Sequence, residues 1–165
     1  MAEDIKPFPF VLTPHEAYYR EFLKRGVLGM PPTNTILKRN VFEELGRFSD
    51  ERYIGDIEFW LRLTKRHSVV KMVPGLVYWR KHEGQEYEKG MQTNSYLINN
   101  YKMTKSMLLA SDCPLTDKEI EISSKKYNRR LSRNLIRLFQ KNKSLRQFNH
   151  IRKECGVGWS IFLNL

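Results

Sequence analysis

The sequence predicts a helix-dominated α+β fold, a small sheet in its first half followed by a helical C-terminal region. Two observations carry this prediction. Short valine-rich stretches bounded by proline and glycine fall within residues 33–81. From about Met91 onward the apolar residues recur at the 3.6-residue period of a helix. A third observation narrows the class. With 165 residues, 41% of them hydrophobic and 28% charged, the chain has the size and composition of an ordinary globular domain. Its two cysteines, Cys113 and Cys155, exclude a disulfide scaffold and a four-cysteine zinc site. No apolar run approaches the roughly 20 residues that cross a bilayer, and MAEDIKPFPF lacks the basic-then-apolar layout of a signal peptide. A soluble protein of a reducing compartment, the cytoplasm, is therefore expected.

The elements follow in order. MAEDIKPFPF, with Pro7 and Pro9 among aromatics, reads as an extended arm. Thr13, Pro14 and Glu16 supply an N-cap, a first helical proline and a capping box for a helix to about Arg25, stopped by Gly26. Tyr18 and Phe22, four apart, fall on its buried face. Thr33–Lys38 is expected as a short strand. Asn40 and Glu43 suggest a second capping box, for a short helix ended by Gly46. Residues 47–55 read as a loop and Asp56 to about Arg66 as a helix. Ser68–Val73 and Leu76–Lys81 are expected as strands around the turn Pro74-Gly75, and His82–Gly90 as a loop. Residues 92–111 form one predicted helix, broken by Asp112-Cys113-Pro114. Thr116 and Glu119 make a third capping box, opening the longest helix, to about Lys141, with a shorter helix near 144–154. Two domains are read from this order, 1–90 and 91–165.

Charge is distributed unevenly. Lys and Arg total 29 against 18 Asp and Glu, a net of +11. Residues 98–165 hold 14 basic and 5 acidic residues, so most of the excess lies in the C-terminal part. Lys126, Arg130, Arg133, Arg137 and Lys141 form a stripe along one side of the long predicted helix. Such a stripe suits a polyanion or an anionic membrane surface, and equally a solvated helix face. Nucleic acid is the less favoured partner, since no recognition motif accompanies the charge.

The residues able to carry chemistry lie between Leu37 and Gln85. Asp56 and Glu58 stand at a loop-to-helix junction, with Arg62 further along the helix; Arg80 and His82 stand two apart near the end of a predicted strand. A carboxylate at a helix start is suited to act as a general base, and helix N-termini favour negative charge. The commoner use of an Asp at such a place is as an N-cap, and spacing alone favours that reading. No glycine-rich phosphate loop is present.

Taken together, these residues resemble the acceptor-side half of a family-2 inverting glycosyltransferase of the GT-A type. Arg39, Phe42, Leu45, Gly46 and Phe48 match one stretch of that family's pattern; Asp50, Asp56, Glu58, Phe59 and Arg62 match a second; Tyr78, Arg80 and His82 match a third. The likeness covers about residues 29–88. Gly55 stands where the family commonly has Glu. The Asp-x-Asp of the family's nucleotide-binding half occurs nowhere in the chain.

The resemblance implies a GT-A fold for the small sheet, and transfer of a sugar from a nucleotide-sugar donor to a saccharide or lipid-linked acceptor with inversion. It implies Asp56 as general base, Arg80 on the diphosphate, Glu58 as a support for substrate, and His82 as a ligand of a divalent cation, Mg or Mn, held mainly by the nucleotide-binding half. Trp60 and Tyr53 offer an apolar face to an acceptor sugar, or, for Trp60, a core position. The chain is thus expected to be the C-terminal portion of such an enzyme, or one partner of a split one, inactive alone. Asp56, Arg80 and His82 are then expected on one concave surface. The resemblance further implies peripheral association with the inner face of the membrane through the basic helices, and self-association through the surface where the other half would pack. The alternative is a basic helical module binding nucleic acid or membrane, without catalysis.

Overall fold

The computed structural model describes residues 7–29, 31–73, 75, 77, 78 and 85–163. The chain forms two compact units. The first comprises Met1–Asp50, Gly55–His82 and Asp112–Leu115; the second comprises Glu51–Ile54, Glu83–Ser111 and Thr116–Leu165. The division differs from a cut at residue 90, because two short segments each join the unit distant from them in sequence. The helix-dominated α+β class holds in its coarse form, with one two-stranded antiparallel sheet among the described residues.

In the first unit the strand β1 (Phe10–Leu12) pairs antiparallel with β2 (Val69–Lys71), Val11 opposite Val70. The N-terminal stretch is thus a strand where an unpaired arm was expected. Its hydrogen-bonding partner lies almost sixty residues away, beyond the reach of local patterns. The strand expected at Thr33–Lys38 does not form: Pro32–Asn34 makes a 3-10 turn, and the extended residues after it have no ladder. The second strand is shorter than Ser68–Val73. The strand expected at Leu76–Lys81 falls mostly outside the described residues, and of its members Val77 and Tyr78 are not in a strand.

Helix α1 (Pro14–Leu23) begins as its sequence dictates. The Thr13 hydroxyl accepts from the Glu16 amide and the Glu16 carboxylate accepts from the Thr13 amide. Tyr18 and Phe22 are buried with ring centroids 5.2 Å apart. The helix stops two residues early, and the Glu21 carboxylate explains the turn that follows: it accepts from the amides of Val27 (2.6 Å) and Leu28 (2.8 Å). A Cβ at Gly26 would stand 2.9 Å from that carboxylate, so a side chain there would have to displace it. The Lys71 ammonium donates to the Val27 carbonyl, tying β2 to the same turn.

Helix α2 (Arg39–Leu45) starts ahead of Asn40, so the Asn40 capping box does not form; Glu43 pairs with Arg39 instead, at 2.8 Å. Gly46 ends it with φ 78°, a conformation that glycine adopts freely. Helix α3 (Gly55–Thr64) follows, burying Phe59, Trp60, Leu61 and Leu63. The Tyr18 hydroxyl donates to the Leu61 carbonyl at 3.0 Å, joining α1 to α3 inside the core.

The second unit is helical. Helix α4 (Glu86–Gln92) occupies part of the stretch expected as a loop, and α5 (Ser95–Leu109) begins beyond it. The single helix expected over 92–111 is interrupted because Asn94 is left-handed, φ 62°, and the Thr93 hydroxyl donates back to the Lys89 carbonyl, closing α4. Helix α6 (Asp117–Asn142) forms with its Thr116–Glu119 capping box, and α7 (Leu145–Glu154) packs against it. Tyr101, Leu131, Leu135, Phe148, Ile151 and Cys155 form the core. Among the described residues no helix is long and apolar enough to cross a membrane.

Burial pushes the Tyr18 phenol well above its ordinary value, with smaller contributions from nearby Cys113 and Asp112. The stability it contributes is therefore full below the unfolded value near 10 and is lost as pH rises above it. Urea unfolding from pH 8 to 11 is expected to show stability falling above about pH 10, with a shallower fall in Tyr18→Phe. At neutral pH that variant is expected to lose about 0.5–1.5 kcal/mol for its hydrogen bond to Leu61. Equal alkaline slopes in the two proteins would remove Tyr18 from the account.

Candidate functional site

Of the matched residues that the structure describes, Phe42, Leu45, Phe48, Phe59 and Arg62 meet at α3, whereas Arg39 pairs with Glu43 on its own helix and Tyr78 is almost fully exposed. Arg62, on the last turn of α3, points its guanidinium back to the end of α2. It donates to the Leu45 carbonyl and, at 2.8 Å, to the Arg47 carbonyl. Its Nε donates to Glu58 at 3.1 Å, one turn earlier on α3. The pair is largely withdrawn from water, the side chains being 30% and 17% exposed for Arg62 and Glu58. Glu58 thus holds the guanidinium that holds the α2–α3 connection, and this structural use occupies the carboxylate expected to support substrate. The arginine lies over the Phe59 ring, 5.2 Å from its centroid.

An aromatic cluster fills the space beneath. Phe48 lies 4.5 Å from Phe59 and 5.9 Å from Trp60 between centroids, and Phe42 lies 5.8 Å from Phe59. Trp60 is 6% exposed, so the indole is committed to the core and offers no open face to a sugar ring. Of the two readings open for Trp60, the geometry gives the core position. Tyr53, in the other unit, has φ 71° and its ring lies against Gly90, where a Cβ would stand 2.8 Å from it.

Asp56 lies in the first turn of α3, half-buried, and is not the residue that caps it. Its Oδ1 accepts from the amide of Ile57 at 2.8 Å. The helix starts one residue earlier, at Gly55, where a Cβ would meet the Ser49 carbonyl at 2.9 Å. The 47–50 loop closes onto the helix start and leaves no room for a side chain at Gly55. Arg80 and His82 lie outside the described residues, and with them the common surface expected with Asp56. The cation implied by the resemblance has His82 as its one candidate ligand in this chain. Among the described residues no group of three or more His, Cys, Asp or Glu gathers to hold a metal.

Local sequence signals placed Asp56, Glu58 and Arg62 on one helix but gave no sign that Arg62 reaches seventeen residues back in the chain. That reach depends on α2 and α3 packing side by side. Comparison with protein-family models, curated proteins and solved structures finds no match to this chain.

Arg62→Ala leaves two carbonyls and a largely buried carboxylate without their donor. It is expected to cost about 1.5–3 kcal/mol in thermal or urea unfolding, the scale of a charged hydrogen bond. Arg62→Lys is expected to recover little, since an ammonium cannot reproduce the planar fork. A lysine variant as stable as the parent would show that the fork geometry does not matter.

Proposed function

We propose that this chain is the acceptor-side part of an inverting glycosyltransferase, with Asp56 as the general base. The observation that carries the reading is the use to which the matched residues are put. Phe42, Phe48, Phe59 and Arg62 come from two separated stretches of the pattern, and they contact one another, or the intervening backbone, in one body. Asp56 belongs to the same pattern but takes no part in these contacts. A carboxylate kept at a helix start, one oxygen fixed by the Ile57 amide, is suited to take a proton on the other oxygen.

The step it would serve is an in-line displacement. The acceptor hydroxyl oxygen forms a bond to the anomeric carbon as its proton passes to Asp56. The bond from that carbon to the nucleoside diphosphate breaks, and its electron pair leaves on the phosphate oxygen. A divalent cation, when bound with the nucleotide half, would neutralise charge on the departing diphosphate. Within this chain, Glu58 and Arg62 act by fixing α3, and so the place of Asp56, against the α2 end.

The test is transfer by the longer polypeptide that would carry the donor-binding half. Asp56→Asn keeps an oxygen for the Ile57 amide and removes the base, so a loss of about 10²-fold or more in turnover is expected, with unfolding unchanged. Turnover within a few-fold of the parent would overturn the assignment. The chain by itself is expected to transfer no sugar.

A second reading rests on the exposed basic face of α6. Lys126, Arg130, Arg133, Arg137 and Lys141 are all exposed, while Leu131 and Leu135 on the opposite side are buried. At about 1.5 Å per residue the stripe runs for roughly 22 Å. This geometry fits attachment to an anionic membrane surface by charge alone. Co-sedimentation with phosphatidylserine-containing vesicles is expected to fall steeply with salt and to drop several-fold in Arg133→Glu. Equal binding to neutral vesicles would rule it out.

A further inference from the structure

The last stretch of the second unit shows water the apolar side chains that a folded chain ordinarily hides. Helix α7 spaces Leu145, Phe148 and Arg152 three and four residues apart, so the three share one side of the helix. After α7 the chain turns back at Gly156, which has φ 62°, and the Arg152 guanidinium donates to the Val157 carbonyl at 2.7 Å. This return lays the 3-10 turn Trp159–Phe162 over the same side of α7. Phe148 is stacked against both Trp159 and Phe162, with ring centroids 5.8 and 5.7 Å apart, and Phe139 of α6 meets it edge-on. The Arg152 guanidinium lies over the Trp159 ring, 4.7 Å from its centroid.

Phe148 is buried by this aromatic stack, but the side chains around it are not. Trp159 is 59% exposed, Leu145 63% and Leu163 83%. Leu145 stands one helical turn before Phe148, and Leu163 directly follows Phe162. Removing such side chains from water is favourable, and the fold itself does not do it. The charge nearby has one sign. Residues 137–163 hold six Lys and Arg and a single carboxylate, Glu154, which is paired with Lys102 at 3.0 Å. Lys143 and Arg146 flank Leu145 and are exposed, as is Lys153. In sequence they continue the basic stripe of α6 past its end at Lys141. An acidic protein would answer this charge, but it would need hollows shaped to three protruding side chains. Lipid is fluid and accepts them without such a fit. Tryptophan suits the boundary, since its ring is apolar while its N–H can stay at the wet headgroup level.

We propose that Trp159, Leu145 and Leu163 insert into the headgroup–acyl boundary of an anionic lipid leaflet, with Lys143, Arg146 and Lys153 on its headgroups. The proposal rests on the membrane reading of the basic face of α6 and adds an apolar contact to it; the assignment of Asp56 does not enter. Charge draws the unit to the surface over a distance, and the apolar side chains hold it there.

The experiment mixes the full chain with vesicles of phosphatidylcholine and phosphatidylserine whose acyl chains carry bromine, which quenches a tryptophan that reaches them. Parent emission is expected to fall on binding. Trp60 and Trp79 remain in Trp159→Ala, and at saturating lipid the fall is expected to disappear in that variant. In co-sedimentation Trp159→Ala is expected to bind about tenfold more weakly, by the same factor at about 0.05 and 0.15 M salt, because salt does not screen an apolar contact. The deficit of Arg133→Glu is expected to shrink over the same range. Should Trp159→Ala lose its helical circular dichroism, Leu163→Ser, which alters an exposed side chain and no charge, takes its place with a several-fold loss at both salt concentrations. Binding that falls in Arg133→Glu while brominated lipid leaves parent emission unchanged would overturn the insertion and leave attachment by charge standing. No sedimentation with these vesicles at either salt concentration would overturn both.

Discussion

One guanidinium organises the part of the first unit that holds the proposed base. Helix α2 has only seven residues; the Gly46 amide caps the Phe42 carbonyl, which leaves its last carbonyls short of partners within the helix. From α3, Arg62 donates to the last of them, that of Leu45, and to the Arg47 carbonyl just beyond, and is itself held by Glu58. Gly46 stops α2, and this fork fixes how the 47–50 loop returns from it. It thereby also sets where α3 begins, because the Ser49 carbonyl comes so close to the helix start that only Gly55 fits. Asp56 is the next residue. The position of the proposed base is thus a consequence of a hydrogen-bonded ion pair about one and a half helical turns away.

Around that fork the packing is aromatic. Four rings from α2, the loop after it and α3 meet with centroids about 4.5 to 6 Å apart. Tilted and edge-on arrangements of this kind add to simple burial. They let a short, glycine-punctuated segment act as a stiff support. A two-stranded sheet is marginal by itself; here β1 buries Leu12 and is joined to the rest of the unit by α1, which contacts it and is held to α3 through Tyr18.

The second unit solves a different problem. Helix α6 runs 26 residues with a strongly basic outer face, and like charges along one side oppose each other. Its inner face offsets this by supplying Leu131 and Leu135 to a core completed by α5 and α7. The carboxylates near its start, Asp117 and Glu119, complement the helix N-terminus. The result is a stable helix that keeps its cations outward along the open face.

Much of the helical content was legible in the sequence, because its causes are local. The Thr13–Glu16 and Thr116–Glu119 capping boxes, the stop at Gly46, the buried pair Tyr18 and Phe22 and the period of Leu131 and Leu135 act within a turn or two of the chain, and each appears where the residues predict it. Asp56, Glu58 and Arg62 were legible as a cluster on one helix for the same reason. What the tertiary structure decided is whatever needs a partner distant in sequence. Phe10–Leu12 is a strand only because Val69–Lys71 lies beside it, while Thr33–Lys38 finds no such neighbour. Trp60 is core and not platform because Phe48 and Phe59 close over it. The grip of Arg62 on Leu45 and the stacking of Trp159 on Phe148 arise only when separate elements pack. Backbone hydrogen bonds and caps are satisfied within a few residues and leave a mark on the sequence. Side-chain contacts between elements depend on a packing that no local pattern encodes.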